Sequence, residues 1–151
     1  MVTRSLTLKD EFATRALGAQ IAALLDVGDV VRLFGDLGAG KTTLARAVIE
    51  ALTGETDAPS PTYTLVQTYE TKVGHVLAHA DLYRLEDEDE LDELGLDDAL
   101  EHGFALIEWP GNAPSFAPPD RLDLSLVETE VGVREARLDG HGRWEGLIRE
   151  L

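Results

Sequence analysis

The sequence has 151 residues and a mass of 16.4 kDa, a length that predicts one domain with a core of its own. Thirteen Lys and Arg stand against 29 Asp and Glu, a net charge of -16 that excludes a broad phosphate-binding surface, so any action on nucleic acid calls for a partner. With no cysteine, disulfides, thiol nucleophiles and Cys-ligated zinc are excluded together. The first residues, MVTRSLTLKDE, lack the apolar core of a signal peptide, and no apolar run reaches the roughly 18 residues that span a bilayer. The expectation is a cytoplasmic protein without membrane contact.

In chain order, residues 5–8 read as a short strand. From Asp10 to Leu25, Ala13, Leu17, Ile21 and Leu24 recur at helical spacing, with Asp10 as N-cap and Gly28 marking the turn out. Val30–Phe34 is an apolar, β-branched run suited to a buried strand. After a glycine-rich turn, a second helix carries Leu44, Val48, Ala51 and Leu52 on one face. The polar stretch GETDAPSPTYT reads as loop. Leu65–Glu70 and His75–Asp81 follow as two strands joined by a tight turn at Thr71–Gly74. Residues 86–101 hold ten acids and no base, with Leu91, Leu94, Leu96 and Leu100 interleaved. That pattern predicts a helix, or two short ones, with a solvated acidic face. Phe104–Glu108 is a buried strand ending in an acid, and a loop with four prolines runs from Pro110 to Asp120. Leu122–Val127 and Val133–Leu138 close the chain as an antiparallel pair, before a short terminal segment.

Residues Gly35-Asp36-Leu37-Gly38-Ala39-Gly40-Lys41-Thr42 satisfy the G-x-x-x-x-G-K-[ST] phosphate-loop pattern, with the required strand before and helix after. Glycines let the backbone close round an anion and turn its N–H groups inward, and the helix adds the positive end of its dipole. In such a loop Lys41 reaches the β- and γ-phosphates and the Thr42 hydroxyl sits on Mg²⁺. Phosphoryl transfer further needs an acid to hold the metal and a group to orient the attacking oxygen. Glu108, at the end of its strand, is one candidate. Asp81 is the other. Period-two geometry puts His75, Leu77, His79 and Asp81 on one face, so His79 and Asp81 can approach the same bound species. Trp109-Pro110, next in the chain, either wall off the site or pack on the surface.

Four motifs taken together resemble the TsaE (YjeE) family of small P-loop ATPases of tRNA threonylcarbamoyladenosine synthesis. GDLGAGKTT (Gly35–Thr43) is similar to its phosphate loop and SPTYTLV (Ser60–Val66) to its switch segment. HADLYRL (His79–Leu85) resembles its H-x-D-x-Y-R motif, and IEWP (Ile107–Pro110) its metal-binding acid and tryptophan. The resemblance implies an α/β, P-loop NTPase-like three-layer fold with a central, mostly parallel sheet and antiparallel edge strands. It implies ATP and Mg²⁺ as cofactors, a weak ATPase, and TsaB–TsaD as partners that bring tRNA only indirectly. By position, it implies that Gly35, Asp36, Leu37, Gly38, Ala39, Gly40, Lys41, Thr42 and Thr43 hold the nucleotide, with Glu11 and Arg134 nearby. Lys41, Asp81 and Glu108 would be catalytic, with Thr42, Glu108 and Asp81 toward metal and Thr62 and Tyr63 on the switch segment. Pro59 before that segment and the strongly acidic 86–101 stretch depart from the family pattern.

Two other readings share part of this pattern. A small-metabolite kinase needs an acceptor pocket and an arginine-bearing lid, for which the scattered arginines give little sign. A module that uses nucleotide as a switch, with incidental hydrolysis, shares every motif. A GTPase is disfavoured, since no N-K-x-D guanine-reading segment occurs.

Overall fold

The computed structural model describes residues 1–56, 58, 59, 61 and 65–151. Among these, seven strands form one sheet: β1 (Val2–Leu8), β2 (Val30–Phe34), β3 (Val66–Glu70), β4 (Val76–Asp81), β5 (Gly103–Glu108), β6 (Arg121–Glu130) and β7 (Val133–His141). Their spatial order is β1-β7-β6-β2-β5-β4-β3. The four inner strands β6, β2, β5 and β4 run parallel, while β1, β7 and β3 attach antiparallel. The α/β class and the mostly parallel sheet with antiparallel edges agree with the sequence.

Among the described residues, four α-helices cover the sheet: α1 (Glu11–Leu24), α2 (Lys41–Thr53), α3 (Leu96–His102) and α4 (Trp144–Leu147). Strand alternation sorts their contacts. Val31 and Leu33 of β2, Leu77 of β4 and Phe104 and Leu106 of β5 join the cluster under α1, α2 and α4. Val30, Ala78, Ala80, Ala105 and Ile107 face the opposite way, toward Leu96 and Ala99 of α3. Three layers result.

Asp10 caps α1 as expected, its carboxylate accepting the Ala13 N–H at 2.8 Å. The buried face of α1 adds Thr14 and Gly18 to Leu17 and Ile21. A Cβ on Gly18 would lie 2.7 Å from Ala47 Cβ and 2.9 Å from the Leu44 carbonyl, so α1 and α2 meet backbone to backbone there. On α2 the buried stripe is Leu44, Ala45, Val48 and Ile49, and Ala51 is exposed, a correction to the predicted face. Ala51 shares the face of Leu44, Ala47 and Val48 but lies a turn beyond their contact with Gly18, in the last turn of α2.

Elsewhere the elements run longer than the sequence implied. β1 starts at Val2 rather than residue 5, since an edge strand needs only alternate burial. β6 and β7 extend to Glu130 and His141. The acidic stretch forms two short pieces, a 3₁₀ segment Glu88–Leu94 and α3, separated by Gly95 at φ +73°. Among the described residues, no helix is long and apolar enough to cross a membrane.

Candidate nucleotide site

Parallel strands present their carboxyl ends at one edge, the usual place for a ligand in an open α/β sheet. Leu33 of β2 pairs with Glu108 of β5, and Glu108 with Asp81 of β4, so the three strand ends stand in one row. The same alternation that buries Leu77, Phe104 and Leu106 under the α1–α2 layer aims His79, Asp81 and Glu108 to that side. Lys41, the first residue of α2, arrives from above.

The loop between β2 and α2 adopts the geometry that the glycines permit. Gly35, Gly38 and Gly40 have φ of +143°, +82° and +104°, and a Cβ on Gly35 would stand 2.7 Å from the Leu126 carbonyl. Gly40 is the N-cap of α2 and supplies no side-chain cap, which leaves the first N–H groups available to an anion. Arg134 of β7 braces the loop, its Nε donating to the Ala39 carbonyl at 2.6 Å. A second bond runs to the Gly38 carbonyl at 3.3 Å, and Glu128 pairs with the guanidinium at 3.5 Å.

A cavity of about 410 Å³ opens on the front of the loop. Of the residues singled out in the sequence, Leu37, Gly38, Gly40, Lys41, Thr42 and Thr43 line it from the loop side. Asp81, Glu108 and Arg134 line it from the strands, joined by Tyr83, Arg84 and Trp109. Glu11 borders a smaller hollow of about 110 Å³ that shares Gly40, Thr43 and Arg134 with the main cavity. Gly35, Asp36 and Ala39 line the opposite side of the loop, with Leu126, Val127 and Glu128. Thr62 and Tyr63 lie outside the described residues.

Lys41 is buried and folded back, its Nζ donating to the Gly35 carbonyl at 2.6 Å and resting 3.5 Å from the centre of the Trp109 ring. Burial pushes its ammonium below the ordinary lysine range, and the charges of Glu108, Asp81 and Asp36 offset part of that. Trp109 sits in the left-handed region at φ +57°, with the Tyr83 ring tilted against it at 52°, the centroids 4.9 Å apart. Burial pushes the Asp81 carboxyl above the usual range; the Tyr83 N–H opposes this at 3.0 Å, while the nearby Glu108 adds to it. Glu108 takes a hydrogen bond from His79 at 2.7 Å. His79 therefore faces Glu108 across the strands.

This donor set fits a phosphate ester and a divalent cation. An uncapped helix start, a lysine and two threonine hydroxyls face two buried carboxylates whose mutual repulsion a cation relieves. Fold and loop together are those of the P-loop NTPases, a nucleotide-binding class.

A family model described as "Threonylcarbamoyl adenosine biosynthesis protein TsaE" matches residues 8–136. The tRNA threonylcarbamoyladenosine biosynthesis protein TsaE of Bacillus subtilis is 38% identical over 140 residues, covering 91% of this chain and 87% of its own. Its counterpart in Rickettsia felis is 40% identical over 122 residues, covering 80% and 71%. The crystal structure of Bacillus subtilis YdiB superposes with a TM-score of 0.80 at 32% identity, covering 99% of this chain and 95% of that one. The chain belongs to the TsaE family.

Sequence reasoning did not single out Arg84 or Asn112, nor the bond between His79 and Glu108. Asn112 donates to the Leu82 carbonyl at 2.7 Å and ties the segment after Trp109 to the segment after Asp81. The HADLYRL motif carried Tyr83 and Arg84 in plain sight, but their turn toward the cavity follows only from the strand ending at Asp81.

Proposed function

We propose that residues 1–151 act as one P-loop ATPase domain that binds and hydrolyses ATP with Mg²⁺. In this reading it serves, with TsaB–TsaD partners, the threonylcarbamoyladenosine modification of tRNA next to the anticodon. Membership of the TsaE family supports the pathway. The observation that carries the chemistry is the row of Asp81 and Glu108 directly beneath Lys41. The loop N–H groups and Lys41 bind phosphate, Thr42 and Glu108 hold the cation, and Asp81 orients water or metal. Thr43, Glu11 and Arg134 sit round the remaining nucleotide, Arg134 by bracing the loop. Mg²⁺ supplies charge neutralisation on the phosphate oxygens.

The folded-back Lys41 favours slow turnover by the chain alone. Its ammonium must leave the Gly35 carbonyl and the Trp109 ring before it can meet a phosphate. ATP turnover with Mg²⁺ should be measured on this chain with and without TsaB–TsaD, beside Lys41→Ala and Glu108→Ala. The expected outcome is stimulation by the partners that both variants lose, with Lys41→Ala also losing nucleotide affinity. Unchanged slow turnover with tight nucleotide binding would instead favour a binding module that uses nucleotide as a switch.

A further inference from the structure

His79 stands out as a buried polar side chain to which the nucleotide reading gives no task. It is 2% exposed, on β4, two residues before Asp81 and on the same side of the sheet. Its Nε2 lies 2.7 Å from Oε2 of Glu108, which is itself buried. An ionised carboxylate only accepts, so Nε2 carries the proton and donates it. The other ring nitrogen, Nδ1, is buried without a partner among the described residues.

That asymmetry is informative. A histidine that merely fills a core position is satisfied through both nitrogens or replaced by an apolar residue, because an orphaned buried polar atom costs roughly 1–3 kcal/mol. Here the ring makes one strong, charge-assisted bond, and the group it meets is the acid at the end of β5. The bond engages one of the two carboxylate oxygens. It spans parallel strands in fixed register, so the donor is held by the sheet itself.

We propose that His79 is a positioning residue for Glu108, its Nε2–H fixing the orientation in which the carboxylate meets the divalent cation. This rests on the reading of Glu108 as a cation ligand. Partners that orient a metal ligand in this way typically set metal affinity by about 10–100-fold.

The test uses the full chain with ADP and Mn²⁺, reading bound metal by electron paramagnetic resonance, apart from turnover. His79→Leu, which keeps an apolar volume but removes the donor, should weaken Mn²⁺ binding by about 10-fold or more. Its ADP affinity in EDTA should not change. His79→Gln, whose amide nitrogen reaches the place of Nε2, should restore most of the loss. Unchanged Mn²⁺ affinity in His79→Leu, alongside a loss in Glu108→Gln, would overturn the proposal and leave the metal reading standing. No loss in Glu108→Gln would overturn the metal reading and the proposal with it. Should His79→Leu not fold, His79→Asn, whose amide falls short of Glu108, replaces it. Equal Mn²⁺ affinity in His79→Asn and His79→Gln would then refute the proposal.

Discussion

Asp29, just before β2, is fully buried and far from the nucleotide cleft. Burial pushes its carboxyl up to about 6, outweighing the Asp26 N–H bonded at 2.8 Å and the charge of the Arg143 guanidinium that pairs with it. The folded chain therefore holds this proton more tightly than the unfolded chain, whose aspartate titrates near 3.8. Its contribution to stability is fully present below about pH 4 and declines as pH rises to about 6. Asp123 has the opposite sign. Burial would raise its carboxyl, but bonds of 2.7 and 2.8 Å from Arg32, with the charges of Arg32 and Arg121, bring it below the usual range. Its contribution is lost only as pH falls through the carboxylate range. Asp29→Asn should therefore gain stability over the parent as pH rises from 4 to 6.5, by up to about 3 kcal/mol. Denaturant unfolding at a series of pH values measures this, and a difference that does not vary with pH would refute it. The phosphate loop itself was legible in the sequence, because eight consecutive positions, residues 35–42, spell it. The Arg143 partner of Asp29, the Arg32 partner of Asp123 and the His79 partner of Glu108 were not, since each comes from a segment far along the chain and is brought near only by the fold.

The contact between α1 and α2 turns on Gly18. A side chain there meets the Ala47 Cβ and the Leu44 carbonyl, and the latter is backbone of the helix that begins with Lys41. Gly18→Val should cost about 1–3 kcal/mol through overpacking, despite the gain in helix propensity. Thermal or denaturant midpoints read the loss, and a variant as stable as the parent would refute the close approach. At this scale most of the elements were visible from periodicity, capping and turn residues. β5 stands out as an apolar run from Phe104 to Ile107, and β2 as one broken only by Arg32, because both of their faces are covered. What periodicity missed has a common cause. Ala51 was expected to be buried because helix spacing puts it on the face of Leu44 and Val48, and spacing does not tell where along that face the neighbour's contact stops. β1 was cut short because half of its side chains face solvent, and only pairing with β7 makes residues 2–4 part of the strand.

The whole molecule carries a net charge of -16, and ten of its acids lie between residues 86 and 101. Against such a field, the cations of the cleft, Lys41, Arg84 and Arg134, are local exceptions. A polyanion is repelled at long range, so the purified chain should not bind tRNA measurably at physiological salt. A filter-binding or mobility-shift titration tests this, and tight binding would refute it. The α/β class was legible from the strand–loop–helix unit round the phosphate loop, and the three-layer arrangement from the resemblance to the TsaE family. The spatial order of the strands was not, because it interleaves the two ends of the chain.

That interleaving has a consequence for synthesis. β1 emerges first and has a single neighbour in the sheet, β7, so Val2 waits for Gly140 before it can pair. The phosphate loop is made early as well, yet the carbonyl that crowds Gly35 belongs to Leu126 and the brace on Ala39 to Arg134. A nascent chain halted before β6 would carry the whole motif in its sequence without the frame that shapes it. Until β6 and β7 are made, β1 stays unpaired and one flank of β2 stays open.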